Sequence, residues 1–280
     1  MFALHRTRRV GLLRRTNSQR YLLSTINLIR LENTPILTQL KLEEALYRHD
    51  DRNWCLVNQY SGPPTVVLGI SGQPSKLVKV EDVSRDNIPM IRRFSGGGTV
   101  ILHSGSFLVS FVCRKDFLGA ERNLAESPGG LMSWSQSYYA DMFRRMRESN
   151  RMDVDESTEF GLTGQDYTFG GTRKIGGNAQ ALSKDRFVHH TSFLWSYDPD
   201  IMKYLTIPEK QPEYRANRDH GDFLCRMCDV ILDSAAWWSA FESELRSRCQ
   251  VVEMDEECAL PLLEELVTNP SSLRTKLLVG

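Results

Sequence analysis

The sequence predicts an α+β fold, in which a mixed β-sheet packs against separate helices. Three observations support this prediction: the β-rich runs are short, two of them flank a turn, and amphipathic helical segments lie between and after them. With 280 residues, of which 41% are hydrophobic and 25% are charged, the chain matches one large domain, alone or with a small appendage.

Four segments carry apolar residues at helical spacing. Residues 33–49 form an amphipathic pattern that opens the domain, and residues 128–147 begin with Pro128, a residue favoured in the first helical turn. The other two predicted helices are residues 219–232 and 234–248. The prediction is therefore four helices around the sheet.

The strand predictions rest on β-branched and apolar runs. Residues 65–70 carry a run typical of a buried strand, and residues 167–169 and 187–194 are also strand-like. Residues 101–102 and 106–112 predict a hairpin around the Ser104-Gly105 turn.

The first 31 residues form a distinct segment, with seven arginines and no acidic residue. This composition is typical of a mitochondrial transit peptide and predicts a mitochondrial location. The alternative is a basic arm that stays on the mature protein and binds an acidic surface. We expect a catalytic domain over 32–249 and a short C-terminal extension over 250–280.

The remaining residues contain 28 basic and 35 acidic side chains, a net charge near −7. This charge argues against a nucleic-acid partner. Charged residues interrupt every apolar run before the roughly 18 to 20 residues that a membrane helix needs, so no membrane association is expected. The six cysteines are scattered, and we expect reduced thiols.

The segment at 92–98 places an arginine pair before three consecutive glycines. Glycines in a strand weaken it unless the backbone must approach a ligand closely. Amides of Gly96, Gly97 and Gly98 could then line a phosphate or carboxylate, with Arg92 or Arg93 as its charged partner. The alternative is a glycine bulge in a twisted strand.

A second glycine-rich segment, at 170–180, places Lys174 between two glycine pairs. A lysine held against such a backbone can stabilise the negative charge that develops on a reacting acyl group or on a phosphate. The alternative is a solvated turn lysine.

Histidine and cysteine pairs do not predict a metal site. His189 and His190 are adjacent in a strand and point to opposite faces, so they cannot readily chelate one ion, and the imidazole on the inner face is expected to be structural. The spacing of Cys225 and Cys228 matches one ligand pair of a zinc site, but the sequence has no second pair at a suitable distance. The favoured interpretation is that both are buried structural cysteines in a helix.

Three motifs in order, RRFSGGGTVILH at 92–103, GGTRKIGGNAQAL at 170–182 and HHTSFL at 189–194, resemble the lipoate–protein ligase A members of the biotin/lipoate A/B protein ligase family. The resemblance spans about residues 31–233. Residues 203–208, 211–215 and 218 are similar to the substrate-side segment of close relatives. The family implies a catalytic domain like those of biotin ligases and class II aminoacyl-tRNA synthetases.

The resemblance also implies roles for individual residues. Lys174 would bridge the acyl carbonyl and the phosphate, and His103 would close the glycine loop. Asp166, with Tyr167, stands where such proteins commonly carry Asn-Asp. The residues implied at the substrate or adenylate site are Arg92, Arg93, Ser95, Gly96, Gly97, Gly98, His103, Asp166, Gly176, Gly177, Asn178 and Ala179.

By the same resemblance, the activity is attachment of lipoate or octanoate to a lysine of an acceptor protein. The acyl carboxylate would attack Mg-ATP to give a lipoyl-adenylate, which the acceptor lysine then attacks. ATP and Mg²⁺ are thus expected as substrates, lipoate or lipoyl-AMP as ligand, and no tightly bound metal. Expected partners are the lipoyl domains of 2-oxoacid dehydrogenase E2 subunits and the glycine-cleavage H protein.

Two other functions stay open. Residues 250–280 are too few for the accessory domain of full-length bacterial ligases, which favours an ATP-independent transferase that moves octanoyl or lipoyl groups between carrier proteins. Family octanoyltransferases use a cysteine nucleophile, however, and no cysteine lies between Cys113 and Cys225. A non-catalytic binding protein is the third possibility, against which the intact Lys174 motif argues. A biotin ligase is disfavoured because its arginine-and-glycine biotin loop is absent.

Overall fold

The computed structural model describes residues 24–207, 211–267 and 269–279. The strands are β1 Thr25–Leu31, β2 Trp54–Tyr60, β3 Thr65–Leu68, β4 Met90–Arg92, β5 Val100–Leu102, β6 Ser106–Arg114, β7 Phe160–Thr163, β8 Asp166–Phe169, β9 Arg173–Leu182, β10 Arg186–Leu194, β11 Gln250–Met254 and β12 Lys276–Val279. The α-helices are α1 Ile36–His49, α2 Pro74–Leu77, α3 Val80–Arg85, α4 Pro128–Glu148, α5 His220–Phe223, α6 Ser234–Arg248 and α7 Glu256–Leu266.

The strands form two sheets. The larger has eight strands in the order β11-β1-β2-β6-β10-β9-β8-β7, and the smaller has four in the order β12-β4-β3-β5. Strand β1 is parallel to both of its neighbours, whereas the pairs from β2 to β7 are antiparallel. The sheets are therefore mixed and the predicted α+β fold is confirmed.

Helices cover both faces of the large sheet. Successive residues of a strand point to opposite faces, so neighbouring side chains of one strand pack against different helices. Leu28 packs in the core beneath α4 and α6, whereas its neighbour Ile29 packs in the core beneath α1 and α7. The α4–α6 side is rich in aromatic rings, with Phe111 edge-on to Trp134 at a centroid distance of 5.0 Å. A rigid core thus supports the centre of the sheet.

The hairpin predicted around Ser104-Gly105 is wrong. Strand β5 pairs with β3 in the small sheet, whereas β6 pairs with β2 and β10 in the large one. Gly105, at a φ of 95°, turns the chain between the sheets, and its carbonyl accepts hydrogen bonds from the amides of Trp195 and Ser196. Both edges of β6 already have long partners, which leaves no edge for β5.

The helix predicted over 219–232 is also wrong. After α5, the amide of Cys225 donates to the Lys174 carbonyl at 2.8 Å, and a short 3-10 helix follows at Met227–Asp229. The backbone here bonds to β9 instead of to itself. Cys225 is buried and Cys228 is half-buried. The other three predicted helices are present, as α1, α4 and α6.

Both ends of the described chain belong to the sheets, which shifts the predicted domain boundaries. Residues 25–31 form β1, an inner strand in which Ile26 and Ile29 are fully buried, so the domain begins before residue 32. Strands β11 and β12 lie in the predicted extension and complete the two sheets. The first 23 residues of the predicted transit peptide lie outside the described residues, and the transit peptide stays a prediction. Among the residues that the structure describes, no helix combines the length and apolar content of a bilayer span.

The buried carboxylate of Glu44 fixes the segment before β12. It accepts hydrogen bonds from the amides of Arg274 and Thr275, both at 2.8 Å, and from the Arg48 guanidinium at 2.7 Å. No part of Glu44 is exposed, so these contacts are shielded from water. Glu44 on α1 therefore holds β12 against β4.

Glu44→Ala is expected to lower the free energy of unfolding by about 3 kcal/mol, because it leaves two buried amides and a guanidinium without their acceptor. Urea denaturation monitored by circular dichroism measures this loss. Glu264→Ala, at an exposed site on α7, is the matched control and should change stability by less than about 0.5 kcal/mol. Equal stability of the two variants would contradict the anchoring role of Glu44.

Candidate active site

A cavity of about 710 Å³ lies where the two sheets meet. Strand β5 contributes one wall, β9 and β10 contribute another, and residues from the segments 202–206 and 211–224 close the side. The apolar part of the wall includes Val100, Ile101, Phe193, Leu194, Met202 and Phe223. The polar part includes Gln165, Asp166, Lys174, Asn178, Arg215 and His220. The cavity has the size and the mixed lining of a small-molecule site.

The first glycine segment packs directly against β9. Gly97 has a φ of 110°, and a Cβ built on it would lie 2.8 Å from the Asn178 carbonyl and 3.1 Å from the Ala179 Cα. Its own carbonyl would lie 2.3 Å from a Cβ on Gly69. Only glycine allows this approach, because any side chain would collide with backbone. The glycines thus bring the two sheets together at the cavity.

The other two glycines of this segment have separate roles. The amide of Gly96 donates to the Gln180 carbonyl of β9 at 2.8 Å, so it is not free for a ligand. Gly98 lines the cavity, and a Cβ built on it would meet nothing within 4 Å. Gly97 and Gly98 therefore form the part of the segment that faces the cavity.

Arg93 holds the glycine segment instead of lining the large cavity. Only 2% of it is exposed, and its guanidinium donates to the carbonyls of Gly98 at 2.7 Å, Gly96 at 3.2 Å and Val67 at 3.4 Å. Burial lowers the pKa of Arg93 to about 10, against the opposing effect of Glu43, so it stays charged at neutral pH. The sequence predicted a ligand contact, but the structure shows a backbone clamp.

Arg92, Ser95 and His103 lie outside the large cavity as well. Arg92 donates to the Ile70 carbonyl at 3.2 Å, and Ser95 is buried with its hydroxyl 3.4 Å from His190 Nε2. His103 is buried at the turn before β6, and burial lowers the pKa of its imidazole. None of these three side chains lines the large cavity, and their implied roles stay predictions.

Lys174 lies on the opposite wall, at a bulge in β9 where the register with β8 shifts. Its amine is 2.7 Å from Asp166 Oδ1, and a Cβ built on Gly177 would lie 3.5 Å from the same amine. The lysine therefore extends along the glycine backbone of its own strand, as the sequence suggested. It is not a solvated turn residue, because only 24% of its side chain is exposed.

The rest of the second motif forms the floor of the cavity. Gly176 and Gly177 line it, and the Asn178 amide group donates to the Gln165 carbonyl at 2.6 Å. A Cβ on Gly176 would lie 2.8 Å from the Phe193 ring, so that glycine lets β9 pack on β10. Ala179 is buried behind Gly97.

Asp166 connects Lys174 to the chain that follows β10. Its second oxygen accepts a hydrogen bond from the Tyr214 hydroxyl at 2.8 Å. Burial, together with the Asp166 carboxylate, raises the pKa of Tyr214 well above its usual value, so the phenol stays protonated and donates. Lys174, Asp166 and Tyr214 form one connected group.

The sequence analysis missed Glu43, whose fully buried carboxylate lies behind the glycine segment. It accepts hydrogen bonds from Ser110 at 2.6 Å and Gln39 at 2.9 Å, and it lies 2.9 Å from His190 Nδ1. Burial opposes its charge, but His190 and these hydrogen bonds outweigh burial and lower its pKa. Glu43, His190 and Arg93 line a second cavity of about 50 Å³, which shares Val100 with the large cavity.

The two histidines point to opposite faces, as predicted. His190 meets Glu43, whereas His189 is fully buried with Nε2 at 2.9 Å from the Tyr167 hydroxyl and Nδ1 at 3.1 Å from the Gln180 amide. Burial lowers the pKa of His189 to about 3, so it is a neutral structural residue. In the described ranges, no group of three or more His, Cys, Asp or Glu side chains could hold a metal ion.

Residues 35–230 match the model of the lipoyl protein ligase A/B catalytic domain. The chain belongs to this family. It is 27% identical over 68% of its length to the "Inactive lipoate--protein ligase 2" of Plasmodium falciparum, and 26% identical over 61% to the lipoate-protein ligase A of Blochmanniella floridana. It covers 60% and 46% of these two relatives, less than two thirds of either. The family resemblance of the three motifs is thereby confirmed.

Solved structures show the same fold. A bipartite lipoate protein ligase of Thermoplasma acidophilum, described with its E2 lipoyl domain, superposes with a TM-score of 0.63 at 18% identity, over 90% of this chain and 94% of that one. A lipoate-protein ligase A bound with ATP gives 0.61 at 18% identity, over 89% and 96%. P. falciparum LipL1 in complex with lipoate gives 0.61 at 16% identity, over 86% and 70%.

Gly97→Ala is expected to lower the free energy of unfolding by about 2 to 4 kcal/mol, since alanine is strained at positive φ and its Cβ would collide with β9. Gly98→Ala, one residue further on, has open space and should cost less than about 1 kcal/mol. Urea denaturation of both variants tests this difference. A Gly97→Ala variant as stable as Gly98→Ala would show that the close approach of the sheets is not required.

Proposed function

We propose that this chain attaches a lipoyl or octanoyl group to a lysine of a lipoyl domain through an acyl-adenylate. The observation that carries this proposal is the position of the Lys174 amine, in one cavity with the Gly97–Gly98 backbone and an apolar wall. The family membership supports the same chemistry.

The two parts of the cavity suit the two parts of an acyl-adenylate. An octanoyl or lipoyl chain is apolar and would lie along Val100, Ile101 and Phe193. The acyl phosphate is anionic and would lie between Lys174 and the Gly98 backbone, where no side chain blocks it. The acyl carbonyl that the acceptor amine attacks would then lie where the apolar and polar parts of the cavity meet.

The chemistry needs no nucleophile from the enzyme. A carboxylate oxygen of the acid attacks the α-phosphorus of ATP and pyrophosphate leaves; the acceptor amine then attacks the acyl carbon, AMP leaves and the amine loses a proton. Negative charge develops on the carbonyl oxygen during the second step. Lys174 would stabilise this charge, and Asp166 would hold the Lys174 amine in position before the reaction.

Relatives supply further support for the substrates and partners. Solved proteins of the same fold are described with ATP, with lipoate and with an E2 lipoyl domain. We extend this to Mg²⁺ as the ion that accompanies ATP, and to lipoyl domains of 2-oxoacid dehydrogenases and the glycine-cleavage H protein as acceptors. The arginine-rich and acid-free sequence before β1 supports a mitochondrial location.

An ATP-independent transferase with a cysteine acyl-enzyme has less support. No cysteine lines the large cavity in the described part of the chain. Cys225 donates its backbone amide to the Lys174 carbonyl, and burial raises the pKa of its thiol, which disfavours the thiolate. These observations argue against a cysteine nucleophile at this site.

A non-catalytic role is favoured by one observation, the similarity to a relative named inactive.

The three functions can be distinguished by incubating the purified full-length chain with an apo lipoyl domain and measuring the mass of this acceptor by mass spectrometry. One reaction receives lipoate with Mg-ATP, one receives lipoyl-AMP, and one receives octanoyl-carrier protein without ATP. We expect a lipoyl mass increase in the first two. Modification only from octanoyl-carrier protein would disprove the ligase, and no modification in any reaction would favour a binding protein.

Lys174→Ala is expected to lower the rate of lipoyl transfer from lipoyl-AMP by about 10²- to 10³-fold, the usual effect of removing one group that stabilises transition-state charge. Lys184→Ala is the matched control, because Lys184 is exposed at the turn between β9 and β10. Single-turnover transfer, with circular dichroism to check folding, measures both variants. Equal rates for wild type and a folded Lys174→Ala would remove Lys174 from the reaction.

A further inference from the structure

Arg215 is a buried guanidinium on the wall of the large cavity that its own fold leaves incompletely paired. It ends the 3-10 helix Glu213–Arg215, and only 5% of it is exposed. Its Nε donates to the Arg218 carbonyl at 3.0 Å, and its guanidinium lies 4.7 Å from the centre of the Phe223 ring. Its Nη2 has no hydrogen-bond partner among the described residues.

No carboxylate in the described ranges forms an ion pair with Arg215. Asp166 acts on it electrostatically, but the two oxygens of that carboxylate already accept from Lys174 and Tyr214. Burial lowers the pKa of Arg215 because the charged form is poorly solvated there. A buried cation with a free donor is costly unless an anion joins it.

Lys174 and Arg215 are two cationic side chains on this side of the cavity. His220 lines the same wall, and burial, Arg215 and Lys174 lower the pKa of its imidazole against the opposing effect of Asp219. Lys174 has one carboxylate partner, whereas Arg215 has none of its own in the described structure.

We propose that Arg215 binds the phosphate of the acyl-adenylate and thereby distinguishes the activated acyl group from the free acid. This inference rests on the proposed function. In a mixed anhydride, the phosphate is bonded directly to the oxygen of the acyl group, so one ligand can contact Lys174 through its carbonyl and Arg215 through its phosphate. Free lipoate has a single carboxylate, which Lys174 alone can hold. A guanidinium suits phosphate oxygens because it presents donors in a planar fork.

Hydrogen bonds of the residues beside Arg215 hold this arginine in position at the cavity. The adjacent Tyr214 is tied to Asp166, and Arg218 donates to the carbonyls of Thr172 and Tyr214, both at 2.8 Å. These bonds hold residues 214–218 against β8 and the turn before β9. Arg215 is thereby fixed at the cavity independently of the ligand.

The test compares two ligands on wild type, Arg215→Met and Arg215→Lys. The probes are lipoate and a lipoyl-sulfamoyl adenosine, in which an anionic sulfamate replaces the phosphate and cannot be hydrolysed. For Arg215→Met, we expect the Kd of the adenylate analogue, measured by isothermal titration calorimetry, to rise about 10- to 100-fold, the range for one charge-assisted hydrogen bond. The Kd of lipoate should stay within about twofold, and Arg215→Lys should recover part of the loss.

Arg226→Met is the matched control, because Arg226 is exposed and paired with Asp229 at 3.0 Å. It should bind both probes like the wild type. If Arg215→Met binds the adenylate analogue as tightly as the wild type does, or loses both ligands equally, Arg215 does not recognise the phosphate. Wild-type protein that binds the analogue but never modifies a lipoyl domain would disprove the proposed function alone. In that case, the selective loss in Arg215→Met would still assign the anion contact.

Discussion

The site depends on one close contact, the packing of Gly97 against the backbone of β9. This contact joins a four-stranded sheet to an eight-stranded sheet, and no residue with a side chain fits there. Arg93 holds the glycine segment from beneath by bonding to its carbonyls. Lys174 of β9 and Gly98, just before β5, line the same cavity at this junction.

The buried charges behind the junction follow from the same constraint. Arg93 loses its hydration when it clamps the glycine segment, and Glu43 provides a negative charge nearby without a direct hydrogen bond to it. Glu43 is in turn bonded to Ser110 and Gln39, and it faces His190. The polar group is buried yet almost fully bonded, so it specifies one relative position of α1, β6 and β10.

The sequence predicted the fold class and three of the seven α-helices that the structure describes, because these depend on local patterns. The amphipathic pattern of residues 33–49 and the glycines around Lys174 can be recognised from the local sequence alone. The failures depend on tertiary pairing. Residues 101–102 look like half of a hairpin, but their partner is β3. Residues 219–232 look helical, but the backbone at Cys225 bonds to β9.

Side-chain roles were harder to predict than elements. The arginine pair marked the correct segment, but nothing local shows that Arg93 points into the protein and not into the cavity. Glu43 and Glu44 did leave a signal, as two acids among the apolar positions of one helix, where Leu42 and Ala45 flank them. The resemblance assigned residues 211–215 to the substrate side, but only the folded structure shows that Tyr214 bonds to Asp166 and that Arg215 lines the same cavity as Lys174.

The pairing of β1 with β11 has a consequence for how the chain folds. Thr25 lies opposite Gln250, so the first strand of the large sheet cannot complete its hydrogen bonds until more than 200 further residues have been synthesised. Such long-range pairing is slow, because the entropy of closing the intervening loop is lost before the contacts form. The edge of β1 that pairs with β11 therefore stays unpaired until the last strands are synthesised. During that time the nascent protein can associate with other chains through this edge.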